Sequence, residues 1–353
     1  MTITSSRVTA PARSRASTYV AVLVFGVLFA LLFQYRILSL LSKLGTNVAP
    51  LGTKLPIVLD LQNSPLWLRP FLSTLDYLNT VWSTTLLGLF IAGAAVTFLP
   101  HLLRHHLQGN GIGQHLAAAV LGLPNMFCTC CAATTLPGLR KAGMGLAATL
   151  SFFVAAPALN MTVIILAFQL LPLKLALARA VLGLVAAVGV PYLVVKLHPE
   201  VSAALSAQTC EVDEGKTAVS LLSAWLRATL DIARVAIPFL LVGILIVSIF
   251  KVLLPFDVIA RSLGDGLAPT LLASLVGVVL MVPSYTEVLW IGEFTKQGMG
   301  TGPAAALLIT LPAVSFPSLW VLARVHGSYR LAVSLGLGVL LLGVVGGLLF
   351  ALI

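Results

Sequence analysis

Long apolar runs recur along the chain: Tyr19–Phe33, Trp82–Phe98, Leu146–Leu171, Leu175–Val195, Val235–Phe250, Ala304–Val321 and Leu331–Ile353. Several reach the ~20 residues that a helix needs to cross a bilayer. The sequence is 59% apolar and 9% charged, against about 25% charged in soluble domains. No soluble core absorbs so many uninterrupted runs. In hydrocarbon each segment must satisfy its own backbone, which leaves helices as the spanning unit for runs of this kind. The expected fold class is an all-α polytopic membrane protein.

The formal net charge is +10. A nucleic-acid partner is not implied, because membrane proteins concentrate Lys and Arg in cytoplasmic loops and no basic patch with interleaved aromatics occurs. Arg7, Arg13 and Arg15 precede the first apolar run, and no clean small-residue cleavage site follows. That pattern is read as a retained first helix with a cytoplasmic N-terminus. Four cysteines are too few for a disulfide framework. Three of them, Cys128, Cys130 and Cys131, sit together inside an apolar segment, while Cys210 lies in a polar linker.

The chain contains an internal duplication at a constant offset of 155 residues. Pro100 matches Pro255, Gly109 to Gly111 match Gly264 to Gly266, Gly122 matches Gly277, and Lys141 matches Lys296. Gly143-Met144-Gly145 matches Gly298-Met299-Gly300, Pro157-Ala158 matches Pro312-Ala313, and Gly183 matches Gly338. Shared Leu and Ala residues mean little in apolar sequence, but Gly and Pro punctuate the backbone at fixed places. The implied organisation is an N-terminal helix with an interfacial segment (1–76), a first repeat (77–197), a polar cytoplasmic linker (198–218) and a second repeat (219–353). Within the first part, Leu66–Leu75 reads as a half-amphipathic interfacial helix anchored by Trp67.

Each repeat holds a Gly-rich broken segment, 113–142 and 267–297. Its two apolar pieces are each too short to cross a ~30 Å core, and together they are too long for one untilted span. A re-entrant hairpin with its tip near mid-membrane resolves this, since non-helical backbone at that depth is tolerated where it is buried in protein or lines a cavity. Each repeat then crosses three times, so the two repeats are inverted. This is a recurrent transporter layout, with cargo at the repeat interface. Lys and Arg placement favours the hairpins modestly.

Cys128, Cys130 and Cys131 fall at the first tip. A lone buried Cys is usually just a small hydrophobe. Three within four residues point instead to soft coordination of Cu(I), Zn, mercury-like ions or trivalent arsenic. A closed zinc site is disfavoured, because it needs four ligands. Thr129 shares this tip, and Ser284, Tyr285 and Thr286 occupy the second. Glu287 and Glu293 lie in the second broken segment; an ionisable residue at membrane depth is a functional candidate. Glu287 is expected to couple protons or touch cargo, while Glu293, nearer the segment end, is a second proton-coupling candidate or a partner of Lys296. Asn160 and Ser315 each follow their half's proline by three residues, placed to repair the backbone or to face cargo. His101, His105 and His106 read as a water-facing loop and His115 as a weaker proton-relay candidate. Asp231 and Arg234 read as an exposed i,i+3 pair.

The first half resembles the predicted-permease family that includes organoarsenical efflux permeases. The resemblance rests on Cys128-Thr129-Cys130, on Lys141 and Gly143, and on Ala155-Ala156-Pro157-Ala158-Leu159-Asn160. Its layout covers roughly 77–350 and its specific motifs about 35 residues. Two departures bear on cargo: Cys131 follows the C-x-C directly, with proline delayed to Pro137, and the second half reads Pro312-Ala313-Val314-Ser315 rather than repeating the asparagine. Tyr285 and Glu287 replace small residues at the second tip. The resemblance implies a permease in the cytoplasmic membrane of a prokaryote, with no cofactor.

The leading expectation is therefore proton-coupled efflux of a small thiophilic solute, such as a trivalent arsenical, from a mid-membrane site between the tips. A permease for a soft metal ion or a small sulfur-containing or oxyanion solute, and a membrane thiol oxidoreductase, are the alternatives. No Walker A pattern occurs, and an enzyme is not expected. Partners are the lipid bilayer and the solute or soft ion, not nucleic acid, and homo-oligomerisation stays open.

Overall fold

The computed structural model describes residues 26, 27, 30, 31, 34, 65, 68–98, 107, 109–123, 127–141, 144–202, 218–253, 263–282 and 286–352. Among them every regular element is a helix: α1 (Arg69–Phe98), α2 (Ile112–Gly122), α3 (Thr129–Lys141), α4 (Leu146–Ala158), α5 (Met161–Leu170), α6 (Leu173–Leu197), α7 (Ala218–Leu253), α8 (Leu267–Val279), α9 (Thr286–Lys296), α10 (Thr301–Ala313), α11 (Phe316–His326) and α12 (Tyr329–Leu352). The stretches Leu146–Leu170, Leu173–Leu197, Thr301–His326 and Tyr329–Leu352 are long and apolar enough to cross a membrane.

Helix boundaries follow the punctuation of the sequence. The last described residues of α1 and α7, Phe98 and Leu253, each lie two residues before a proline. α4 and α10 start and stop at positions 155 residues apart. The boundary between an interfacial segment and the first repeat, placed at 76/77, falls inside α1, which runs unbroken from Arg69. Pro70 sits in the first turn, where its missing N–H costs nothing, and no later proline interrupts the helix.

The two halves pack alike. α2 lies against α4 and α6, and α8 lies against α10 and α12. The backbone N–H of Gly145 donates to Leu107 O at 2.9 Å, and that of Gly300 to Leu263 O at 2.8 Å. Each broken segment thus starts and ends at the same place. Gly122 and Gly277 allow its first arm to touch the following span. A Cβ on Gly122 would stand 2.8 Å from Ala155 Cβ, and one on Gly277 2.8 Å from Thr310 Cβ.

Equivalent helices of the two halves meet at the centre. α6 packs on α12 with Leu182 beside Gly346 and Val190 beside Gly338, while His198 Nε2 lies 2.8 Å from Ser334 Oγ. As one number rises the other falls, so the two helices are antiparallel. α4 and α10, buried along nearly their whole length, contact each other in the core. α12 presents Val333, Leu337, Leu341, Val345 and Leu349 outward as one exposed apolar stripe, the face that lipid would cover.

Candidate functional site

Two spans are broken at matched places. Pro157 and Pro312 lie inside the last turns of α4 and α10. Proline has no N–H to offer the carbonyl four residues back, and the break after it frees further carbonyls. Buried carbonyls of this kind need new donors. Thr129 Oγ1 donates to Pro312 O at 3.0 Å. Pro157 O accepts from Arg179 Nη2 at 3.3 Å, and Leu308 O, freed by Pro312, accepts from Arg179 Nη1.

Arg179 is the functional candidate that the sequence reading missed. It stands in α6 with no exposed side-chain surface, and its Nη2 meets Glu287 Oε1 at 2.8 Å. Glu287 opens the first turn of α9 and is 2% exposed. The pair joins the two halves, with Arg179 from the first and Glu287 from the second. The available signal was a single arginine inside the apolar run Leu175–Val195, which intramembrane cost alone marks as notable. Its partner was not readable, because no spacing connects positions 179 and 287.

The thiols lie beside this pair. Cys128 and Cys131 are reduced and buried, with sulfurs 3.0 Å apart. Cys128 O accepts from Ala132 N at 2.9 Å, so Cys128 caps α3 and Cys131 sits one turn further on the same face. Thr129, next to Cys128, donates to Pro312 O, one turn of α10 beyond the Leu308 O that Arg179 meets. Cys130 lies in α3 between them. Helix N-termini favour thiolate character, and a dithiol at i,i+3 is a chelating pair for a soft centre.

Asn160 is fully buried and works on the backbone. Its Oδ1 accepts from Thr162 N at 3.2 Å and Thr162 Oγ1 at 2.7 Å, and its Nδ2 reaches Phe127 O at 3.5 Å. It therefore caps α5 and tethers the residue before Cys128. At Ser315, the Ser318 hydroxyl accepts from Ser315 N at 2.9 Å and donates to Ser315 O at 2.8 Å. α3 packs on α11, and α9 on α5, so the second helix of each broken segment rests on the other half's broken span.

Other candidates lie elsewhere. Glu293 is exposed, with Gln297 Nε2 donating to it at 3.2 Å, and is not part of the Arg179 cluster. Thr286 is the first residue of α9. Ser284, Tyr285, His101, His105, His106 and Cys210 lie outside the described residues. His115 is buried, with Nδ1 2.7 Å from Ser151 Oγ and Tyr192 edge-on to its ring. Tyr192 also lines a cleft of about 450 Å³ with Asn110, Lys196 and Ser202, remote in lining from the thiols. Asp231 and Arg234 form the expected exposed pair at 3.7 Å.

Residues 103–352 match the family described as "Predicted permease". The chain is 30% identical over 265 residues to the UPF0718 protein YraQ of Escherichia coli (strain K12), covering 72% of this chain and 75% of that protein. It is 32% identical over 117 residues to the UPF0718 protein MJ0584 of Methanocaldococcus jannaschii, covering 33% of this chain and 32% of that protein. No solved structure matches. With its apolar spans, the chain is an integral membrane protein and belongs to the "Predicted permease" family.

Proposed function

We propose that this permease is a proton-coupled exporter of a small thiophilic solute, such as a trivalent organoarsenical, in the cytoplasmic membrane of a prokaryote. The observation that carries the reading is the buried Cys128–Cys131 dithiol, set beside a buried carboxylate–guanidinium pair that joins the two halves. A trivalent arsenical R–As(OH)₂ exchanges both hydroxyls for the two sulfurs. Two As–O bonds break and two As–S bonds form. Each thiol proton leaves with a hydroxyl as water, and arsenic stays trivalent. The reverse exchange releases the cargo, as a transport site requires.

The two halves act as inverted repeats, and the broken segments as re-entrant hairpins. Support comes from the antiparallel contact of α6 with α12 and from the closing bonds Gly145–Leu107 and Gly300–Leu263. At 1.5 Å per residue, arms of 11 and 13 residues span ~16–20 Å, short of the ~30 Å core. Rocking of one half against the other would open the site alternately, with Glu287 taking up a proton as it leaves Arg179.

The test is resistance of arsenic-sensitive bacteria expressing the chain, beside the variant Cys128→Ser/Cys130→Ser/Cys131→Ser. The panel holds trivalent organoarsenicals, arsenite, antimonite and Hg(II). Resistance to at least one compound, abolished in the variant, is expected. If the protein reaches the membrane and protects against none of them, the thiophile-export reading is wrong.

A further inference from the structure

We propose that Arg179 is the receptor for a negatively charged group on the cargo, so that the solute carried is an anion bearing a thiophilic centre. The inference rests on the thiophile-permease reading and narrows its substrate class.

The donors of Arg179 are unevenly met. Nη1 donates to Leu308 O, and Nη2 is shared between Pro157 O and Glu287 Oε1. The Nε–H is buried and has no acceptor among the described residues. A guanidinium stays charged and presents its donors in a planar fork. Its Nε and Nη2 edge is the one that two oxygens of a carboxylate or other oxyanion take bidentately. Glu287 engages only the Nη2 side of that edge. An oxyanion on the cargo would meet both donors and displace the Glu287 carboxylate.

The repeat supplies a second, independent argument. A bond whose purpose is to hold two duplicated halves together would be expected twice. This one has no counterpart, because Arg179 matches Ser334 and Glu287 matches Ala132. The thiols are equally singular: Cys128 matches Pro283 and Cys131 matches Thr286. Cation, carboxylate and dithiol thus break the repeat's symmetry together, where the halves meet. Coincident departures from a duplicated scaffold mark a ligand site, and they give it two recognition elements, one soft and one cationic.

The experiment compares two probes of matched shape, phenylarsonous acid and its 4-carboxy analogue, binding to the purified full-length protein in detergent. Binding is read as arsenic retained, against the Cys128→Ser/Cys131→Ser variant as background. Wild type is expected to bind the carboxylated probe at least about tenfold more tightly, the ratio of one charge-assisted hydrogen-bond pair. Arg179→Gln should erase the preference, and Arg179→Lys should keep part of it, retaining charge but not the fork. If Arg179→Gln fails to fold, the wild-type ratio and the lysine variant decide. Equal binding of both probes, or preference for the neutral one, overturns the anion receptor and leaves the thiophile reading standing. Dithiol-dependent binding of neither probe overturns both.

Discussion

A guanidinium with no exposed surface has to be met by an anion, because its charge cannot be relieved by losing a proton. Glu287 meets Arg179 at 2.8 Å in a setting where both side chains are essentially dry. Removing either partner leaves the other charge buried alone, which typically costs about 3–5 kcal/mol. Arg179→Met and Glu287→Leu should each lower the thermal stability of the detergent-purified protein by that order. The double variant should recover most of the loss but not all, since Pro157 O and Leu308 O lose their donor too. Additive losses in the double-mutant cycle would deny the pair. The thiols make a different prediction. Cys128 and Cys131 share a face and nearly touch, whereas positions two apart on a helix diverge. Cys128→Ser or Cys131→Ser alone should weaken arsenical binding ~10²-fold or more through loss of chelation, and Cys130→Ser should cost far less. The cysteines were legible because residue type and clustering already state their chemistry. Arg179 was harder to read because its partner, Glu287, lies 108 residues away and no spacing links the two.

At the level of elements, the broken spans are held by short polar repairs rather than by sequence propensity. Asn160 satisfies the start of α5 through Thr162 and reaches Phe127 O ahead of Cys128. Asn160→Ala should cost about 0.5–2 kcal/mol as a lost cap and should also weaken arsenical binding, because the tether to the thiol tip goes with it. Glycines separate in the same way. Gly277→Val must push a side chain into Thr310, with Cβ already 2.8 Å from Thr310 Cβ and 3.3 Å from Leu311 N, an overpacking cost of about 1–3 kcal/mol. Gly113 is helical too, but nothing lies within 4 Å of its added Cβ, so Gly113→Ala should leave stability unchanged or raise it by up to ~1 kcal/mol. Melting temperatures of the two variants in one detergent decide between them. The glycine pattern made these elements readable, since Gly111 and Gly266 open the broken segments and Gly145 and Gly300 open the spans that follow them. What could not be read was which carbonyl each proline left for which donor. That depends on contacts such as Thr129 with Pro312, which join residues from opposite halves.

At the scale of the whole molecule, the antiparallel contact of α6 with α12 and the bonds that close each broken segment constrain how the chain is threaded. The duplication was visible in sequence because glycine and proline positions are set by backbone geometry, which both copies share. The meeting of α6 with α12 was not visible, since an apolar helix face does not name its partner. A twofold relation between the halves that makes equivalent spans antiparallel requires their loops to lie on opposite sides of the membrane. Closure of each broken segment, through Gly145 on Leu107 and Gly300 on Leu263, requires that the two ends of one segment lie on the same side. These conditions give a labelling pattern that no other threading shares. In a background without native cysteines, Gly109→Cys and Met144→Cys should react with a membrane-impermeant maleimide from one side only, the cytoplasmic side if the N-terminus is inside. Gly264→Cys and Gly298→Cys should react from the opposite side only. If position 109 labels from one side and position 144 from the other, the first broken segment crosses the membrane and the hairpin fails. If all four label from the same side, the hairpins stand, but the halves are parallel, and the antiparallel contact of α6 with α12 cannot belong to the protein in its bilayer.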